Sequence, residues 1–221
     1  MKVLELFSGT GSIGKCCKKI DWDVVSVDMI LPADHNCDIM DFDYKQYPKD
    51  SFDIVWASPP CTNYSKLQDA WMGRMRKGQI YTKEIQEKEM NEDDKLVLKT
   101  LEIIDYFNPH YWFIENPASS KMKDRPYMKD KPFYLVDYCM FSDWGYKKRT
   151  RIWTNKKNWQ NKLCDGKGTC GNMIEVATNG RLLHKTNLGN TERKQKTKGI
   201  GTTQKDRYRI PEELIFSLFL E

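Results

Sequence analysis

The order of its apolar runs limits the fold of this chain more than any other feature. KVLELF (2–7), DVVSVDM (23–29), DSFDIVWAS (50–58), YWFIENP (111–117), YLVDYCMF (134–141) and RTRIWT (149–154) read as six strands. GKCCKKI opens a helix behind the first of them. NEDDKLVLKTLEIIDYF (91–107) reads as a long helix with a capped start at Asn91 and Asp94, and IPEELIFSLFL (210–220) as one that returns to the sheet. Short strands without polar alternation, spaced by helices, are those of an α/β fold with a mostly parallel, doubly wound sheet. Two stretches break the pattern. Residues 62–90 have no clean period and read as a long loop, which inside a compact domain is usually functional. Residues 155–206 are rich in Lys, Asn, Thr and Gly and read as a small appended region with little core of its own.

Charge separates these parts. Residues 1–144 carry 19 Lys and Arg against 24 Asp and Glu, whereas 145–209 carry 17 against 4. A basic segment of that density fits a polyanionic partner, most simply nucleic acid. No apolar run approaches the ~20 residues that span a bilayer, and MKVLELFSG is no signal peptide, so an intracellular protein is expected. The seven cysteines are odd in number and irregularly spaced, which argues for reduced thiols. Cys16, Cys17, Cys37 and Cys139 sit in apolar settings and read as core. Cys164, Cys170 and His184 together offer three zinc ligands, but five residues separate the two cysteines and no fourth ligand is evident, so no metal is expected.

Ligands of such sheets bind beyond the carboxyl ends of the parallel strands, and three of those ends carry distinctive residues. SGTGSIG places glycines at 9, 11 and 14 between the first strand and its helix, a turn that lets a ligand approach backbone amides. Asp28 follows about 20 residues later, where an acid binds ribose hydroxyls, so an adenosine-bearing cofactor is the natural candidate. The third strand stops on Pro59 and Pro60, which fix φ and stiffen the chain directly before Cys61. The fourth ends in Glu115. A thiolate beside a carboxyl group suits covalent attack on an electrophilic ring, with the glutamate kept as proton donor by its burial.

Four motifs in order carry a family resemblance: FSGTGSIG, SPPCTNYS, IENP and GYKKRTRIW. The chain resembles the C5-cytosine DNA methyltransferases over residues 2–154, with a weaker match over 207–220. The resemblance implies a Rossmann-like methyltransferase fold with a catalytic domain at 1–154, a small basic target-recognition region at 155–206 and a C-terminal helix at 207–221. It implies S-adenosylmethionine as cofactor and double-stranded DNA with a flipped-out cytosine as substrate. Cys61 would attack C6 and Glu115 would protonate or hydrogen-bond N3. Arg149 and Arg151 would hold the base and nearby phosphates, and Asn116 would brace the loops. Ser65, Lys147 and Lys148 would face the DNA, and the loop at 62–90 would close over the base; the residues themselves leave two equal readings for its Trp71 and Tyr81, stacking on DNA or packing within the loop. Phe7 would stack on adenine. Glu5, Gly9 and Gly11 would shape the methionine pocket, with Pro59 and Pro60 alongside. Asp28 would take the ribose and Asp38 the adenine amino group.

The chain departs from the family pattern in three places. Pro117 replaces the usual valine, the glutamine ahead of the two arginines is absent, and RYRIP (207–211) stands where Gly-Asn is usual. Only about fifty residues fill the recognition region, which suits a short target site. A tRNA-modifying branch is disfavoured because its CFT tripeptide is missing. Amino-methyltransferases place an aromatic residue where Cys61 stands. A non-catalytic DNA-binding descendant would be expected to have lost Cys61, Glu115 or the arginines.

Overall fold

The structure is a computed structural model that describes residues 1–175, 180–187, 200–201 and 203–221. Its described elements in chain order, short helical turns aside, are β1 (Lys2–Leu6), α1 (Ser12–Lys19), β2 (Asp23–Val27), β3 (Ile54–Ala57), β4 (Met75–Arg76), β5 (Gln79–Ile80), α2 (Lys83–Phe107), β6 (Tyr111–Pro117), β7 (Phe133–Asp137), β8 (Arg149–Thr154), β9 (Met173–Glu175), β10 (Leu182–His184), β11 (Thr186–Asn187), β12 (Ile200–Gly201), α3 (Gln204–Tyr208) and α4 (Glu212–Leu220). Six strands form one sheet in the order β2-β1-β3-β6-β8-β7. β1, β2, β3 and β6 pair in parallel, and β8 runs antiparallel between β6 and β7.

Alternation along the strands builds a core on each face of the sheet. Leu4, Leu6, Val55, Ala57, Ile114 and Trp153 pack with Val97, Ile103, Ile104 and Phe107 of α2. Val3, Ile54, Trp56, Phe113 and Ile152 pack with Ile13, Cys16 and Cys17 of α1 and with Leu214, Ile215, Leu218 and Phe219 of α4. Helices on both faces make the sheet doubly wound, as the strand pattern predicts. No described helix is long and apolar enough to cross a membrane.

Two helix and strand bounds differ from expectation. α2 starts at Lys83, eight residues early, and its cap is Thr82, whose hydroxyl accepts from the Ile85 amide at 3.4 Å. The added turns are mostly charged and bury little beyond Gln86 and Met90, so they carry almost no apolar stripe to read. Asn91 and Asp94, the expected cap, lie inside the helix. Asp94 instead accepts from the Tyr64 hydroxyl at 2.6 Å, from the Tyr127 hydroxyl and from the Arg125 guanidinium. These contacts tie the segment just past Cys61 to α2 and to the loop after β6. Removing the carboxylate leaves Arg125 with Glu87 at 2.6 Å as its remaining acid, and leaves the Tyr64 and Tyr127 hydroxyls without their shared acceptor, a loss of buried hydrogen bonds that typically costs about 1–3 kcal/mol. Asp94→Ala is therefore expected to lower unfolding free energy by about that amount, measured by urea denaturation.

The second difference is at β7, which ends at Asp137 instead of running to 141. Residues Tyr138–Met140 form a tight helical turn. The long loop is also more ordered than its sequence suggests. It contains a short helix at Lys66–Trp71 and the β4–β5 hairpin. Arg76 pairs with Glu89 of α2 at 2.6 Å, and Tyr81 is buried, with its hydroxyl on Glu89 at 3.0 Å and the Arg76 guanidinium 4.6 Å from its ring centroid. Of its two expected uses, Tyr81 takes packing within the loop. Trp71 remains exposed.

Candidate active site

β1, β3 and β6 are neighbours, so the glycine turn, the Pro-Pro-Cys segment and Glu115 emerge side by side along one sheet edge. Strands lie about 4.8 Å apart, which places the two outer ends roughly 10 Å from each other.

At the β1 end, Phe7 has φ 56°, a left-handed conformation rare for a bulky residue. It turns the chain out of the strand into the loop, and the Ser8 amide donates back to the Val27 carbonyl at 3.1 Å. Gly9 and Gly11 follow with φ 52° and 67°. A Cβ on Gly11 would meet nothing within 4 Å, and one on Gly9 only the Phe7 carbonyl at 3.8 Å, so the turn floors an open space. Glu5 is buried beneath it. Its carboxyl accepts from the Ile13 and Gly14 amides at 3.1 and 3.0 Å and so caps α1, which has no side-chain cap at Gly11. Burial pushes this carboxyl up to about 7 against those two amides. Asp28 accepts from Gly9 at 2.8 Å and from the Ile30 and Leu31 amides, fixing the turn to the end of β2. Asp38 is half-buried beyond it, with one oxygen on the Met40 amide at 2.9 Å.

At the other two ends, Pro59 is buried and Pro60 exposed. The Asn116 side-chain amide donates to the Pro59 carbonyl at 2.9 Å, which locks the end of β6 to the segment that carries Cys61. Asn116 thus braces the loops, and its carbonyl oxygen is buried without a hydrogen-bond partner. Cys61 is half-buried. Its burial, and next the Glu115 carboxylate, push the thiol above its ordinary range, while the Lys148 ammonium opposes them. Glu115 is buried, and its Oε1 accepts from the Tyr138 hydroxyl at 2.9 Å and from Lys148 Nζ at 3.2 Å. Lys148 also donates to the Arg207 carbonyl at 3.0 Å and lies 4.7 Å from the Tyr138 ring centroid.

Several expected roles shift with this geometry. Lys148 is turned inward, its Nζ on the Glu115 carboxylate at 3.2 Å. Tyr138, which sequence reasoning absorbed into a strand, comes to Glu115 because β7 stops one residue earlier. Its burial and the adjacent carboxylate hold its hydroxyl protonated. Arg149 is engaged by the fully buried Asp137 through Nε at 3.0 Å and Nη2 at 2.7 Å. The Lys147 ammonium donates to the Cys164 carbonyl at 3.2 Å, and its Nζ lies 3.5 Å from Asp137. Arg151 lies over the Phe133 ring, 3.8 Å from its centroid, with Nε buried and unpaired. By strand alternation both arginines share the face of Asn116, opposite to Glu115. The Ser65 hydroxyl accepts from the Leu67 amide at 3.2 Å and caps the short loop helix.

Comparison with known proteins places this arrangement. The family model of the C-5 cytosine-specific DNA methylases matches residues 1–147. A protein of Frog virus 3 (isolate Goorha), named "Probable DNA (cytosine-5)-methyltransferase", is 40% identical over 222 residues, covering 99% of this chain and 98% of its own. Among solved structures, a protein described as a DNA modification methyltransferase encoded within an E. coli prophage aligns at a TM-score of 0.50 and 12% identity, over 75% of this chain and 52% of that one. That likeness concerns the fold, and the chain spans about half the length of that solved protein.

Proposed function

Because this chain belongs to the family of C-5 cytosine-specific DNA methylases, we propose that it transfers a methyl group from S-adenosylmethionine to C5 of a cytosine flipped out of DNA, through a covalent bond between Cys61 and C6. The observation that carries this reading is the convergence of Cys61 and Glu115, joined through the Asn116–Pro59 hydrogen bond and accompanied by Lys148. Cys61 loses its proton and its sulfur forms a bond to C6. Glu115 binds or protonates N3, which draws electron density from the ring and leaves C5 nucleophilic; after C5 takes the methyl group, a base removes the C5 proton and elimination breaks the Cys61–C6 bond, restoring the ring and the thiolate. Lys148 holds positive charge beside both groups, so it favours the thiolate at a site where burial and a carboxylate disfavour it.

The residues past β1 and β2 fit an adenosine-bearing cofactor. The open floor over Gly9 and Gly11 admits a ligand close to backbone, and Asp28 and Asp38 stand at the same edge. S-adenosylmethionine, when bound, supplies the methyl group on a sulfonium. Phe7 would flank the adenine, Asp28 the ribose and Asp38 the adenine amino group. Glu5, Gly9 and Gly11 would shape the methionine side, with Pro59 and Pro60 alongside. Arg151 and the exposed part of Arg149 would meet the base and its phosphates. A cytosine inside a duplex lies out of reach of a half-buried thiol, so the base must leave the stack.

The test is direct. Duplex DNA incubated with the purified chain and S-adenosylmethionine should acquire 5-methylcytosine, read by mass spectrometry of the nucleosides. Methyl transfer to RNA alone, or to the exocyclic amine, would overturn the proposal.

A further inference from the structure

Three thiols and one imidazole outside the active site converge from four separate places in the chain. Cys139 follows the end of β7, Cys164 and Cys170 flank a short loop, and His184 ends β10. Their Sγ and ring-nitrogen atoms all lie within 4.8 Å of one another. Cys164 Sγ and Cys170 Sγ lie 3.7 and 3.6 Å from His184 Nε2. Cys139, read from sequence as a core residue, is the fourth ligand that the spacing of the other three did not reveal.

We propose that Cys139, Cys164, Cys170 and His184 bind one structural zinc ion. Zn–S bonds of about 2.3 Å and Zn–N bonds of about 2.0–2.1 Å in a tetrahedron put sulfur and nitrogen ligands roughly 3.6 Å apart. Both recorded S···N separations agree with that edge. Three soft thiolates with one imidazole select zinc over magnesium or calcium, and four protein ligands leave no open position for catalysis.

The backbone around the cluster is already organised. The Asn172 side-chain amide is buried and donates to the carbonyls of Cys139 at 2.8 Å, Ser142 at 2.8 Å and Cys170 at 3.0 Å. The Cys164 amide donates to Asp137 at 2.9 Å, and Asp165 accepts from the Lys167 amide and the Thr169 hydroxyl within the ligand loop. Among its described residues this part of the chain has no apolar core to do the same work. From 155 onward to the β9–β10 hairpin, the buried residues described are Lys156, Trp159, Cys164 and Asn172. Small units of that kind are commonly held by a metal. The ion would fasten the hairpin of the basic region to the end of β7, beside Tyr138 and the Asp137–Arg149 pair.

The experiment uses the full chain purified under reducing conditions without chelator. Elemental analysis is expected to give about one zinc per chain, and cobalt exchanged into the site should show the intense visible bands of tetrahedral thiolate coordination. Cys170→Ser, whose site is half-buried, and His184→Ala should each lower zinc content at least about tenfold, whereas Cys17→Ser, a buried thiol outside the cluster, should retain it. If the ligand variants fail to fold, the wild-type chain decides alone. Zinc below roughly a tenth of an equivalent in the folded wild type, without cobalt bands, overturns the site, as does a disulfide among the three cysteines or full zinc in folded Cys170→Ser.

Discussion

Cys61→Ser is expected to lower single-turnover methyl transfer at least about 10³-fold, ~4 kcal/mol of barrier, while S-adenosylmethionine binding stays unchanged. The alcohol is sterically conservative but does not ionise in any accessible range, and Cys61 follows β3, one strand over from the glycine turn that would hold the cofactor. A 5-fluorocytosine duplex should trap the wild-type chain covalently, because fluorine at C5 cannot leave as a proton does. An active preparation that is never trapped would remove Cys61 from its role. The pH dependence supplies a second readout. Burial and Glu115 hold the thiol above its ordinary range. The nucleophile is the deprotonated form, so the single-turnover rate should be low in acid and climb with pH through the alkaline range without levelling near neutrality. Lys148→Met removes the cation that opposes the shift, and the climb should move to still higher pH. A flat profile from pH 7 to 9 in both proteins would argue that deprotonation of Cys61 is not part of the measured step.

The sequence was most informative where one residue type has one physical use. Apolar runs ended by Pro59 and Pro60, or by a glycine turn, located the strands and the sheet edge, because proline and glycine act on the backbone regardless of what packs around them. The sheet, its two covered faces and the meeting of Cys61 with Glu115 follow from that edge. Long side chains were harder to place. A lysine in a basic run, such as Lys148, has no sequence mark for turning inward onto a carboxylate. Tyr138 and Cys139 were read as strand and core, since a one-turn stop after Asp137 depends on Cys164, Lys147 and Arg149 converging on that carboxylate. The start of α2 was missed for a related reason. Its added turns are held by contacts made through Glu89 and Gln86, not by an apolar stripe. Three ligands of the metal cluster were legible as residue types, but the fourth, Cys139, lies in the turn after β7 and needs the fold to bring it there.

Glu115→Gln should slow the chemical step by about 10²–10⁴-fold, the usual contribution of general acid–base catalysis, and change DNA affinity far less. The amide keeps the shape of the carboxyl and can still hydrogen-bond a ring nitrogen, but it cannot deliver a proton. Its surroundings sharpen the expectation. Glu115 Oε1 takes both the Tyr138 hydroxyl and the Lys148 ammonium, so one oxygen is committed to the protein and Oε2 is the atom left to meet the base. Tyr138→Phe removes one of the two donors that fix this orientation and leaves the acid itself in place. It should therefore lower the chemical rate by a smaller factor than Glu115→Gln. In the double variant the two losses should not add, because a tyrosine that acts by orienting the carboxyl has nothing left to orient. Single-turnover rates of the two single variants and the double, on one oligonucleotide at saturating cofactor, supply the cycle. Full additivity would mean that Tyr138 acts independently of Glu115, and near-wild-type turnover by Glu115→Gln would take the glutamate out of the chemistry.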